Sequence, residues 1–354
     1  LDLAGAWLIN SGIQEPSGGV ARYYLADVHE NRPISTEITG YAVSALLCLY
    51  SRTNHDRYLD AASRAGRFLR RAWDARLDLF PFEYSEGGTG HAPLAYFFDS
   101  GIIVRGLLRL WRVTGRGEWR EAANACGFSM RRDFAAGGSE YHPILVLPGK
   151  EPAPRTPHWS RMPGCYQLKS ALGWLDLHKD TGDSHYLDWY EDLLAASLGT
   201  QESFLPGVSG EGVMDRLHAY CYFLEGILPR VERPEVAATL AEGIAKVADH
   251  MRDVESHFLR SDVCAQLLRL QLLADRAGVV TLDRLAALSL VEKIETFQIS
   301  NSDRRIHGGF LFARRGDKLQ PHVNPVSTAF GIQALLMWWQ YLAGELLFTP
   351  ETVI

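Results

Sequence analysis

The sequence predicts an all-α fold, an (α/α)6 toroid of six helical hairpins with an inner and an outer ring of helices, and three observations predict it. A strongly apolar helix rich in small residues recurs six times along the 354 residues. An amphipathic helix follows most copies. The two chain ends each supply the half-hairpin that the other lacks, so the ring closes through them. On this reading residues 1–354 form one domain with no internal boundary.

The stretch Leu3-Ala4-Gly5-Ala6-Trp7-Leu8-Ile9 is an apolar helix with no inner partner before it. The first full copy is LLCLYSRTNHDRYLDAA at 46–62, entered through Gly40-Tyr41-Ala42-Val43-Ser44-Ala45, with its amphipathic helix over 57–73. The second, LLRLWRVTGRGEWREAA at 107–123, lies 61 residues later: Thr53 maps to Thr114, and Ala61-Ala62 to Ala122-Ala123. Its outer helix is expected at 118–133. The third, WLDLHKDTGDSHYLDWY at 174–190, follows after 67 residues, with an outer helix at 184–198. Weaker copies begin near Ala219, Cys264 and Phe330. The last inner helix, 326–343, has no outer helix after it, and the helix around Trp7 is expected to pack there.

Thirty-six Lys and Arg against 42 Asp and Glu give a net charge of −6, and 47% of residues are hydrophobic. That balance lacks the basic footprint of a nucleic-acid binder. No apolar run approaches the ~18 residues of a membrane span. Five scattered cysteines form no CxxC or Cys/His cluster, so no metal site is expected, and Cys48, Cys126, Cys221 and Cys264 read as buried, unpaired thiols. Leu1 is followed by no charged-then-apolar leader, which points to a cytoplasmic protein.

The repeat phrases resemble the L-x-x-L-Y-x-x-TGD-x-x-YL-x-x-A repeats of six-hairpin toroids, closest to unsaturated glucuronyl hydrolases and related glycosidases. The turns at Gln14-Glu15-Pro16-Ser17-Gly18-Gly19 and at Gln298 through Gly308-Gly309-Phe310 are similar to the Q-x-G-G-F turns of the prenyltransferase and squalene-cyclase branch. The resemblance spans nearly the whole chain, and it implies architecture and sugar chemistry without a cofactor. Sequences without DxDD, DDxxD, a Cys/His zinc set or a GCGEQ segment lack the groups for terpene cyclisation, prenyl transfer, lanthionine formation or thioester chemistry.

Parallel inner helices send their N-termini to one face, where free N–H groups suit an anionic or hydroxyl-rich ligand. Long connections at 18–36, 77–98, 137–164, 201–214 and 299–325 are expected to build its rim. Carrying position 37 through the repeat, with a slip of one residue, gives Glu37, Asp99, Gln167, His218 and Asp262. Asp99, among Tyr96, Phe97 and Phe98, is the first choice for a general acid, because aromatic surroundings raise a carboxyl pKa. Asp215, His218 and Tyr222 share a helical face.

Glu37, Asp215 and His218 join Asp99 as catalytic candidates. Binding candidates are Arg22, Tyr23, Tyr41, Glu83, Trp159, Tyr166, Gln167, Arg216, Tyr220, Asp262, His322 and Asn324: flat rings beside polar groups match sugar rings. Arg304, Arg305, Arg314, Arg315 and Lys318 form a local positive patch. The expected function is metal-independent hydrolysis of an acidic, uronic-acid-type oligosaccharide or polysaccharide. Asp99 would be the acid and Glu37 or Asp215 the base, and their separation would decide the stereochemistry. Two alternatives stand beside it: lyase or C5-epimerase chemistry through Tyr41, His218 or Tyr220, and a non-catalytic glycan-binding or scaffold toroid in polysaccharide assembly.

Overall fold

The computed structural model describes residues 1–84, 92–205 and 211–354. Among the described residues there are twelve α-helices: α1 (Asp2–Asn10), α2 (Thr36–Thr53), α3 (Asp56–Ala72), α4 (Phe97–Thr114), α5 (Gly117–Phe134), α6 (Leu168–Thr181), α7 (Ser184–Phe204), α8 (Glu211–Ile227), α9 (Pro234–Val254), α10 (Ser261–Arg276), α11 (Arg284–Thr296) and α12 (Pro325–Leu342). The even-numbered helices form the inner ring: α2 packs on α4, α4 on α6, and so on through α10 and α12, which returns to α2. The outer helices α3, α5, α7, α9 and α11 each lie against the inner helix before them, and α1 packs on α12 and α2 to complete the sixth pair. Trp7 is buried there, its indole N–H donating to Arg305 O at 2.8 Å.

The repeated threonine turns the chain from inner to outer ring. Thr53, Thr114 and Thr181 donate their hydroxyls to Leu49, Leu110 and Leu177 O, and accept from the N–H groups of His55, Arg116 and Asp183. The residue between, Asn54, Gly115 or Gly182, is left-handed (φ 52°, 69° and 75°) and ends each inner helix. Five residues after each threonine, Tyr58, Trp119 and Tyr186 plug the gap between rings, each fully buried. Inner helices approach closely where glycine allows it: a Cβ on Gly106 of α4 would stand 2.7 Å from Gly40 O of α2.

The connections are more regular than the sequence suggests. Ile34–Ser35 pairs with Val20–Ala21 and Glu83–Tyr84, Ile144–Val146 with Leu94–Tyr96, Phe258–Arg260 with Ala313–Arg315, and His322–Val323 with Tyr24–Leu25, all antiparallel. These short ladders lace the rim over the N-terminal ends of the inner helices. Helix α7 runs six residues beyond its expected end at 198, so the connection expected at 201–214 is largely helical; its residues 206–210, and 85–91 of the connection at 77–98, lie outside the described residues.

The chain after α12 folds back into the opposite end of the ring. Arg105 and Arg109 of α4 donate to Glu351 O and Val353 O, Lys169 of α6 to Ile354 O, and Gln333 of α12 to Thr352 O. Val353 and Ile354 are buried, and beneath them Glu225 pairs with Lys169 (2.9 Å) and Arg269. The axis therefore holds a cavity at one end and a peptide at the other. All five cysteines are unpaired; four are buried and Cys48 is partly so. No helix among the described residues is long and apolar enough to cross a membrane.

Candidate active site

A cavity of about 770 Å³ opens where the inner helices begin. First turns supply Glu37 of α2 and Asp99 of α4 and Asp262 of α10; His218 and Tyr222 reach it from one face of α8, four residues apart. Asn324, which caps α12 by accepting from Val326 and Ser327 N–H, lies at its edge. The rim adds Arg22, Tyr23, Phe82, Glu83, Tyr96, Trp159, Arg161, Tyr166, Arg260 and Phe312.

Glu37 and Asp99 are electrostatically linked. Loss of hydration pushes the Glu37 carboxyl up to about 7, with the nearby Arg22 guanidinium pulling the other way. Asp99 is 6% exposed, and burial, then the charge of Glu37, hold it well above the usual carboxylate range. Its Oδ2 has no hydrogen-bond partner. The charge of Glu37 opposes ionisation of Asp99, so the two carboxyls titrate as a linked pair. Arg22 itself donates to Glu83 at 2.8 Å and lies over the Phe82 ring.

The opposite wall is built around Arg260, at the end of the Phe258–Arg260 strand. It grips both oxygens of Asp262 (3.0 and 2.6 Å), donates to Asp215 at 2.6 Å, and lies over Phe312. Burial alone would raise Asp262, but Arg260 holds it below its ordinary value. His218 is driven down to about 4 by burial and by Arg260, so it is neutral. Its Nδ1 lies 2.8 Å from Gln266 Oε1, an acceptor, which puts the ring proton on Nδ1. Its Nε2 therefore carries the lone pair and has no hydrogen-bond partner among the described residues.

Of the residues singled out in the sequence, Asp99, Glu37, His218, Arg22, Tyr23, Glu83, Trp159, Tyr166, Asp262 and Asn324 line this one cavity. Six stand elsewhere. Tyr41 is buried below the floor, edge-on to Phe330. Asp215 lies behind Arg260 as its second carboxylate. Tyr220 points to the outer ring and donates to Gln201. Gln167 is tied to Gly164 N–H and Tyr141 O and, like Arg216, lines a neighbouring groove. His322 stacks on Tyr23 at 5.0 Å and supports the rim from behind. The basic patch lies outside the cavity: Arg305 ties Ser11 and Asn31 together, and Arg315 lies over Phe258. Arg260 escaped sequence reasoning because it precedes the helical repeat; its closeness to Asp262, two residues on, was the available signal.

No protein-family model matches the chain, and no curated protein matches it in sequence. Solved structures do. A sugar epimerase from a ruminal bacterium superimposes with a TM-score of 0.73 at 11% identity, covering 95% of this chain and 96% of the other. The chain is an (α/α)6 toroid. A D-mannose isomerase (TM-score 0.72, 12% identity, 94% and 95% covered) and the unsaturated glucuronyl hydrolase of Bacillus sp. GL1 (0.64, 14%, 97% and 96%) share the toroid along almost their whole length. At such identities the likeness is one of fold.

Proposed function

We propose that this toroid is a carbohydrate-active enzyme that hydrolyses an acidic, uronic-acid-type oligosaccharide or polysaccharide, with Asp99 as the general acid and Glu37 as its carboxylate partner. The observation that carries the reading is the placement of Asp99 and Glu37 in one cavity with Asp99 Oδ2 unpartnered, where burial and the charge of Glu37 favour the neutral form of the Asp99 carboxyl. A protonated carboxylic acid donates to a glycosidic oxygen, and an ionised neighbour activates water or attacks the anomeric carbon. Trp159 and Tyr23 line the cavity with aromatic rings of the kind that pack on the apolar face of a sugar. Arg161 lines the cavity without a carboxylate partner among the described residues, which suits a substrate carboxylate. The names of the structural neighbours, a glucuronyl hydrolase among them, point to sugars as the ligand class.

A second reading is favoured by His218. A neutral imidazole that lines the cavity, with its Nε2 unpartnered among the described residues, is placed to take a proton from carbon beside a carbonyl or carboxylate, as epimerisation, isomerisation or lyase chemistry requires. The two readings separate in one experiment: glucuronate-containing oligosaccharides incubated with the protein in D2O enriched in H2 18O, followed by NMR and mass spectrometry. Hydrolysis creates a new reducing end carrying 18O and no carbon-bound deuterium. Epimerisation places deuterium on carbon and breaks no glycosidic bond. An unchanged substrate across a panel of acidic and neutral sugars would sink both, leaving a binding toroid.

A further inference from the structure

Beyond Trp159, on the far side of the segment 159–167, lies a second groove of about 490 Å³. That segment is a partition. Ser160 and Arg161 face the catalytic cavity, Met162, Gly164 and Gln167 face the groove, and Trp159 lines both. The indole is braced edge-on against Tyr166 (centroids 5.1 Å apart), and Tyr166 packs in turn on Phe204 in the groove wall.

Two side chains in the groove lack the partners that folding normally provides. Ser197 of α7 is 2% exposed, and its hydroxyl has no hydrogen-bond partner, an arrangement that costs free energy unless a ligand supplies one. Arg216 of α8 lies over the Phe204 ring and donates one N–H to Phe204 O at 3.0 Å, but meets no carboxylate among the described residues. The hydroxyls of Thr200 and Ser203 donate to Ala196 O and Thr200 O and so add acceptors beside an aromatic face, and Glu140, an acidic residue of the groove lining, is paired with Arg155.

We infer that the groove is a distal subsite, and that the substrate is an acidic oligosaccharide long enough to cross Trp159 and place a second carboxylate on Arg216. The inference rests on the proposed sugar chemistry of the cavity. Crossing the partition, one sugar unit lays its apolar face on the indole; the next brings its carboxylate to the guanidinium and a hydroxyl to Ser197. Arg161 and Arg216, one on each side of Trp159, then read carboxylates on separate units of one chain, which selects a polyanionic glycan over a neutral one or a single acidic sugar.

The test is steady-state kinetics and calorimetric binding with a glucuronate-containing disaccharide and the corresponding tetrasaccharide, using wild type, Arg216→Gln and the groove-filling Thr200→Trp. The wild type should show a KM and Kd about tenfold lower for the tetrasaccharide, the scale of one charge-assisted hydrogen bond. Both variants should remove most of that advantage, raising the tetrasaccharide KM far more than the disaccharide KM. Equal constants for both lengths in the wild type, or a variant that shifts both lengths by the same factor, would overturn the subsite while leaving the cavity reading intact. If neither sugar binds or reacts, the cavity reading falls and takes the subsite with it.

Discussion

Glu37 and His218 store opposite electrostatic costs, and pH separates them. The Glu37 carboxyl is raised from 4.5 to about 7, so the fold prefers it protonated. Its contribution to stability is complete below about pH 4.5 and is lost as the pH rises to about 7. His218 is lowered from 6.5 to about 4, so the fold prefers it neutral, and its contribution is present above about pH 6.5 and is lost as the pH falls towards 4. Urea midpoints measured from pH 4 to 8 should therefore decline less between pH 4.5 and 7 in Glu37→Gln than in wild type, and less on the acid side in His218→Gln. An unaltered profile in Glu37→Gln would mean that its carboxyl is well hydrated, and the acid/base pair would lose one member.

At the scale of elements, the helical repeat located much of the site because equivalent first turns reach the same end of the ring. Glu37, Asp99 and Asp262 follow that rule. Gln167 departs from it because α6 is entered through a 3-10 turn, Cys165–Gln167, that turns the amide towards Tyr141. Tyr220 departs because a residue two positions from His218 lies on the opposite side of a helix, whereas Tyr222, four positions on, returns to the cavity. Arg260 and the short strands of the rim depend on pairings between distant connections, which carry no periodicity. The peptide 348–354 was illegible for the same reason: nothing in its composition announces that Arg105, Lys169 and Gln333 will donate to its carbonyls. Its support is a buried ion network, and Glu225 is the keystone, with Lys169 and Arg269 both 0% exposed against it. Glu225→Gln leaves Arg269 buried without a carboxylate, beside a Lys169 ammonium that burial already draws down to about 7, so thermal unfolding should show a loss of about 3–5 kcal/mol. A melting temperature within ~1 °C of wild type would show that water or the peptide carbonyls solvate the two cations adequately.

For the whole molecule, ring closure and function are linked. The α1–α12 contact closes the ring, the inner ring aims its helix N-termini at one face, and the peptide 348–354 fills the other end, so that among the described residues the axis is open to a ligand at the helix N-termini. Within that opening the central claim is that Asp99 is a protonated catalytic acid. Its most direct test is turnover of a glucuronate-containing oligosaccharide by Asp99→Asn, with the melting temperature taken on the same sample. The account predicts a loss of about 10²–10⁴-fold in kcat with the melting temperature unchanged or raised, because the amide removes a carboxyl that the fold holds desolvated. Retained turnover, or lost turnover accompanied by a collapse in stability, would contradict it and make Asp99 a structural residue of the α4 N-terminus.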